Sequence, residues 1–317
     1  MQNPDYKARF EARMARMRAF VEQQQDGNRS AAVCATTIPL PVAFHFQGIS
    51  NPDIACLRQL AVEQLQIVND DYQGTNADIG LWDNDAGPFF PGVDNGESCI
   101  QFCLPNSGHP TGFGLVDGDP AVTVNQTGSS SFSGSWSGYI NVFVRNIGAL
   151  GFSPLGGDGN GDGVTVDVAA FGAGPGCTGV VPSAPFNLGR TLTHELGHYL
   201  GLRHIWGGGC GDDDGVGDTP NSSGSYGGCP TIGPASSSCG STDMHMNYMD
   251  YVNDACMVMF SEGQIAVQDA YAEANLQNVI DNANRCGDPV GVTPLISFVD
   301  AGLEVQEGST SCLSAGS

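Results

Sequence analysis

Three of the chain's six histidines fall within one stretch, TLTHELGHYLGLRHIW, Thr191 to Trp206. His194 and His198 are four residues apart, which on a helix places them on one face, one turn above the other. Two imidazoles so arranged can hold a single ion. Glu195, next to the first of them, projects where it can accept a proton from water beside that ion. Gly201 can adopt positive φ, end the helix and turn the chain so that His204 reaches the same point. A lone histidine is more often a surface or hydrogen-bonded core residue. The long pattern HExxHxxGxxH, with glycine at the one position needing backbone freedom, points instead to zinc. Three protein ligands leave the fourth position open, as a catalytic site requires. The segment NYMDY, with Met249 and Tyr251, lies downstream of this stretch, and Met244, Met246, Met257 and Met259 nearby read as core packing.

The elements that must position these residues follow from local pattern. Asn187 is a reasonable N-cap, and Leu188, Leu192, Leu196, Tyr199 and Leu200 recur at helical spacing behind the histidines. PVAFHFQGI alternates as a strand, and YINVFVRNI reads as a second. CLRQLAVEQLQIVNDDY places Leu57, Leu60, Ala61, Leu65 and Val68 on one helical face, and MFSEGQIAVQDAYAEANL forms a further helix with Ser261 as N-cap. Gly/Asp/Pro-rich or Ser/Gly-rich stretches at 78–98, 128–138 and 207–242 read as loops. Residues 1–33 carry most of the basic charge and read as a helix ending near Asp26-Gly27, more a detachable segment than part of a core. After Cys286, proline punctuation gives way to alternating apolar residues, the texture of a linker and the start of an uncompleted β domain. No internal repeat is evident.

Composition narrows the function classes. Against 11 Lys and Arg stand 34 Asp and Glu, a formal charge of -23 over 317 residues. A field of that sign repels phosphate backbones and anionic lipid heads, which disfavours nucleic-acid partners. No run approaches the ~18 apolar residues that would span a membrane. Eleven cysteines scattered among Gly and Ser loops read as disulfides in an oxidising compartment, since the tight paired spacings of a structural zinc site are absent. Cys99 and Cys103 stand too far apart for a redox CxxC, and an odd count leaves at least one thiol unpaired within the monomer. The basic N-terminus lacks the apolar core of a signal peptide, which fits a processed or truncated form or another export route.

HELGHYLGLRH and NYMDY, supported by DGVTV, DGVGDTP and DACMVMF, resemble the pappalysin family of metzincin peptidases, similar to the ulilysin type. The likeness runs from about residue 36 to 286. It implies an α+β fold with a twisted mixed sheet, an active-site helix and a backing helix, divided into an upper part to about 201 and a lower part 202–286. Residues 1–35 would be a pro-segment-like helix and linker, and 287–317 a linker and the start of an accessory domain. The resemblance implies zinc on His194, His198 and His204, Glu195 as general base and acid, Tyr251 near the oxyanion, and Met249 in a turn beneath the metal. It also implies disulfides Cys210–Cys239 and Cys229–Cys256, which spacing alone does not select among the possible pairings.

Further expectations attach to the resemblance. Calcium would be held by Asp214, Thr219 and the carbonyl of Val216, the plain alternative being a solvated acidic loop held by cysteines. GDGNGDG (157–163) matches half of an EF-hand through Asp158, Asn160, Asp162 and Gly163, but Ala169 occupies the position where Glu is needed; a simple Gly/Asp turn is the competing reading. DGVTVDV is the candidate edge strand for an extended peptide, or else an ordinary core strand. Cys34 is a candidate zinc-blocking thiol, against a disulfide or an inert thiol. In some relatives an acidic residue just before the last of these cysteines accompanies a preference for basic side chains after the scissile bond; here Ala255 stands there, with Asp254 one place earlier. The expected function is a secreted zinc endopeptidase acting on protein or peptide substrates. Its competitor is a catalytically silent zinc-containing binding or adhesion module, against which intact Glu195 and Tyr251 argue.

Overall fold

Strand β1 (Ile38–Phe46) forms the middle of the molecule, pairing in parallel with β2 (Ile100–Cys103), β3 (Val122–Val124) and β4 (Ile140–Val144). The computed structural model describes residues 4–25 and 37–287. Strand β4 pairs in parallel with β6 (Gly163–Val166), and the two-residue β5 (Gly151–Phe152) closes that side antiparallel to β6. The order is β2-β1-β4-β6-β5, with β3 beside β1, so the sheet is mixed, as expected. Parallel strands need both faces covered, and every residue of β4 and β6 is buried.

The edge strand corrects an expectation. DGVTVDV contributes β6, which has a partner on each side; the edge is β5. A two-residue strand of Gly151 and Phe152 carries too little alternation to be recognised in sequence.

Helix α2 (Ile54–Gln73) buries Leu57, Leu60, Ala61, Leu65 and Val68, the face read from its periodicity. Asp53 accepts the Cys56 amide at its start, and Gly74, at φ 64°, caps its end. Helix α3 (Arg190–Tyr199) lies between α2 and the β5–β6 side of the sheet and is almost wholly buried. Helix α4 (Glu262–Asn275) starts in a capping box of Ser261 and Gln264 and is followed by the short α5 (Gln277–Ile280). A two-stranded hairpin, β7 (Ser237–Ser238) and β8 (Ser241–Thr242), is the only strand pairing in the long loop below α3 among the described residues.

Helix α1 (Pro4–Gln25) packs on α4, with Met17 buried. Disulfides join Cys56 to Cys177, Cys103 to Cys286, Cys210 to Cys239 and Cys229 to Cys256. The two pairings implied by the resemblance are among them, and Cys99 is also disulfide-bonded. Cys34, and nearly all of the expected C-terminal region, lie outside the described residues. The EF-hand-like loop is a hydrogen-bonded turn in which Asp162 accepts the amides of Asp158 and Gly159, and Asp158 accepts that of Asn160.

Candidate active site

The first turn of α3 is fixed from a distance. Asn187 does not cap it: the N-cap is Gly189 at φ 80°, without a side-chain hydrogen bond. The carboxylate of Asp254, from the 3-10 turn Asp254–Cys256, accepts the amides of Leu188 at 2.8 Å and Arg190 at 3.5 Å. A negative group there satisfies amides that the helix itself leaves open. Buried Arg190 bridges Asp71 of α2 and Asp78, and donates to the Tyr248 hydroxyl at 3.1 Å. Thr193 donates to the other oxygen of Asp71 at 2.6 Å. The helix is thus tied at once to α2 and to the segment carrying Met249.

Its C-terminal end is a Schellman motif. Gly201, at φ 95°, donates to His198 O, while Leu202 donates to Gly197 O. This turn brings His204 back over the helix, as its sequence position predicted. Ligand atoms of His194, His198 and His204 all lie within 4.8 Å of one another. His194 Nδ1 and His198 Nδ1 donate to the carbonyls of Tyr248 and Leu202, each at 2.7 Å. Those bonds assign the proton to Nδ1 and leave both Nε2 lone pairs free. His198 Nε2 lies 3.0 Å from His204 Nε2, a separation at which the two rings can share one cation.

The electrostatics fit a cation. Burial holds all three imidazoles below their ordinary protonation range, His204 down to about 3, so they stand as neutral ligands. Burial pushes the Glu195 carboxyl up to about 8, and its Oε2 has no hydrogen-bond partner. A positive charge on the histidines would draw that carboxyl back towards ionisation. The donor set, three imidazole nitrogens with a carboxylate alongside, suits zinc.

Tyr251 is half exposed, with its ring 4.7 Å from that of His204 and 5.6 Å from that of His194. Trp206 stacks on His204 at 4.2 Å and 8° and meets Tyr251 at 4.8 Å. Nothing in the local pattern gives Trp206 a role; only the turn at Gly201 places it there. Met249 is fully buried below α3, against Gly197, and its carbonyl accepts the Ile205 amide at 3.2 Å.

A cleft of about 360 Å³ opens beside Glu195 and His194. Leu150 and Gly151 of the edge lie on one side of it, Phe186, Val252 and Met257 supply apolar wall, and buried Asp250 and Asp254 contribute carboxylates. Ala255 does not line it. Asp250 Oδ1 accepts the amides of Tyr226 and Tyr251, while its Oδ2 is unpartnered; burial raises that carboxyl to about 7. Asp254 stands one place before the position of the acid in some relatives, whereas Asp250 has no signal in local pattern and enters the cleft through the chain after Met249.

Asp214, Val216 and Thr219 lie together in one loop. Thr219 Oγ1 lies 2.8 Å from the Asp214 carboxylate and 2.9 Å from Val216 O, and burial raises the Asp214 carboxyl to about 6.

The comparisons agree with this geometry. The family model Peptidase_M43, described as pregnancy-associated plasma protein-A, matches residues 132–272. Extracellular metalloprotease 1 of Coccidioides posadasii is 49% identical over 82 residues, 26% of this chain and 29% of that protein. An extracellular metalloprotease of Arthroderma otae is 45% identical over 94 residues, 27% of this chain and 34% of that one. The chain thus spans about a third of the length of these curated relatives. Among solved structures, a Tannerella forsythia promirolysin mutant matches with TM-score 0.65 and 29% identity, covering 87% of this chain and 94% of that one. Mature mirolysin in complex with a cleaved peptide matches with TM-score 0.63 and 28% identity, covering 80% and 100%. With the family model lying over α3 and the fold shared with mirolysin, the chain is similar to the pappalysin family of metzincin peptidases.

Proposed function

We propose that the protein is a secreted, zinc-dependent endopeptidase. The observation that carries this is the convergence of three neutral imidazoles beside a buried, half-unpartnered Glu195 at the mouth of a cleft. His194, His198 and His204 would hold the metal, which supplies Lewis acidity towards a carbonyl oxygen and makes water acidic enough to react near neutral pH. Glu195 takes the proton of the attacking water and passes it to the nitrogen of the leaving amine. The Tyr251 hydroxyl donates to the oxygen on which negative charge develops. The open edge of β5 offers backbone groups to an extended peptide, and the solved complex of mirolysin with a cleaved peptide supports that substrate class.

Side-chain choice follows from the cleft. Its apolar wall suits a long aliphatic stem, and the carboxylates of Asp250 and Asp254 suit a cationic tip at its end. The reading is cleavage before Arg or Lys, with Asp254 in place of an acid at 255. Calcium on Asp214, Val216 O and Thr219 would relieve the buried carboxylate. Residues 1–35 are read as a pro-segment, whose helix α1 packs on α4. Extracellular relatives support secretion, and among the described residues no helix is long and apolar enough to cross a membrane.

Casein digestion with and without a zinc chelator tests the activity, and a peptide library tests the preference. Digestion that persists after complete metal removal would end the zinc reading. A profile without Arg or Lys after the scissile bond, unchanged in Asp254→Ala, would end the assignment of the cleft acids.

A further inference from the structure

Helix α1 packs on α4, with Met14 near the glycine that follows the zinc-ligand helix. Its contacts there are specific. Arg13, with a side chain 13% exposed, pairs with Asp158 at 2.6 Å and donates to the carbonyl of Gly156. Asn275 of α4 donates to the Arg13 carbonyl at 3.4 Å. Phe10 lies against Gly156, and Met14 against Gly201, the residue whose positive φ turns the chain from His198 to His204.

The loop that Arg13 holds is the one that finishes α3. Gly156 donates to the carbonyl of the ligand His198 at 2.8 Å, and Gly157 donates to that of Tyr199 at 2.7 Å. The Tyr199 hydroxyl donates to Asp162 at 2.8 Å, and the Tyr271 hydroxyl to Gly157 O at 2.8 Å. These glycines have no room for a side chain: a Cβ at Gly157 would sit 2.0 Å from Tyr199, and one at Gly156 2.7 Å from the Tyr271 hydroxyl. Two carboxylates, Asp158 and Asp162, are crowded into the same turn, and Arg13 is the cation that faces them. Five of the chain's 11 basic residues lie in α1, against a formal charge of -23 overall.

We propose that Arg13 is a positioning residue: docked α1 holds the 156–162 loop against the last turn of α3, so that retention of metal by His198 and His204 depends on residues 4–25. A pro-segment built this way braces the metal site from behind. The proposal rests on the zinc reading for its metal readout and on the loop hydrogen bonds for a second, metal-independent one.

The test uses the full chain, Arg13→Met, Arg13→Lys and Asp158→Asn. Zinc-loaded protein is mixed with excess chelator and metal release is timed; amide hydrogen exchange is followed in the same four proteins. Loss of a charge-assisted contact of this kind is worth about tenfold. Arg13→Met and Asp158→Asn should therefore release zinc about tenfold faster than the parent and lose protection at Gly156 and Gly157. Arg13→Lys, which keeps the charge, should fall between. Parental release rates and parental protection of Gly156 and Gly157 in both charge-removing variants would overturn the proposal, as would faster exchange confined to α1. A parent that holds no zinc refutes the metal reading by itself, and the exchange data then decide whether α1 braces the loop.

Discussion

Gly197, in the middle of α3, offers a quantitative probe of how that helix sits on Met249. A Cβ at 197 would stand 2.5 Å from Met249 Sδ, far inside van der Waals contact. Considered alone, Gly→Ala in a helix interior favours the helix by ~1 kcal/mol. Forcing an extra methyl into a packed interior costs ~1–3 kcal/mol, so Gly197→Ala should be a net loss of up to ~2 kcal/mol. Met249 is fully buried, and Met249→Ala should cost ~2–5 kcal/mol. In the double variant the new methyl enters space that the thioether has left. The two effects should therefore fall short of their sum by ~1–2 kcal/mol, beyond the ~0.5 kcal/mol expected of independent sites. Urea unfolding of the four disulfide-intact proteins, run without metal so that zinc affinity does not enter, gives the coupling directly. Strict additivity would refute the packing of Met249 beneath α3.

Acid should destabilise the protein through His45. Burial between β3 and β4 partners holds its imidazole down to about 4, with Thr123 and Asn141 on its two nitrogens. The unfolded chain takes up the proton first, near 6.5, so stability is complete above that pH, falls as pH drops and levels off below about 4. The loss amounts to ~3 kcal/mol. His45→Gln should remove that part of the slope, measured as the difference between parent and variant at each pH; the raised carboxyls of Asp214 and Asp250 slope the other way in both proteins and cancel. Replacing Cys229 and Cys256 together by Ser opens a link across a separation of 27 residues and should cost ~3.5 kcal/mol in the chain-entropy account. Zinc content should survive that change because the ligands lie upstream, whereas loss of metal would show that the loop holds the site itself.

What the sequence disclosed is what is local. The helix carrying His194 and His198, the glycine turn after it and the N-cap at Ser261 each depend on residues a few positions apart, and the structure has all three. The buried face of α2 is legible for the same reason, since a regular helix repeats its contacts every turn. Non-local features were hidden. Asn187 looked like a cap, but Asp254, 64 residues from Arg190, accepts the amides at the start of α3. The longer apolar run at 163–166 has the stronger strand pattern, yet a pair of residues at 151–152 forms the edge. Trp206 and Asp250 become site residues only after the turn at Gly201 and the loop after Met249 have been placed in space. The same limit applies to the cysteines, whose pairings across 121 and 183 residues no spacing rule identifies.

The most direct test of the account is Glu195→Ala, measured for metal and for turnover in the same preparation. The variant should bind one zinc per chain as the parent does, because the three imidazoles and their carbonyl partners are untouched. Its casein and peptide hydrolysis should fall by at least ~100-fold, the low end of what a positioned general base contributes. Full metal content with parental turnover would contradict the central claim, since the proton would then be moved by some group other than Glu195.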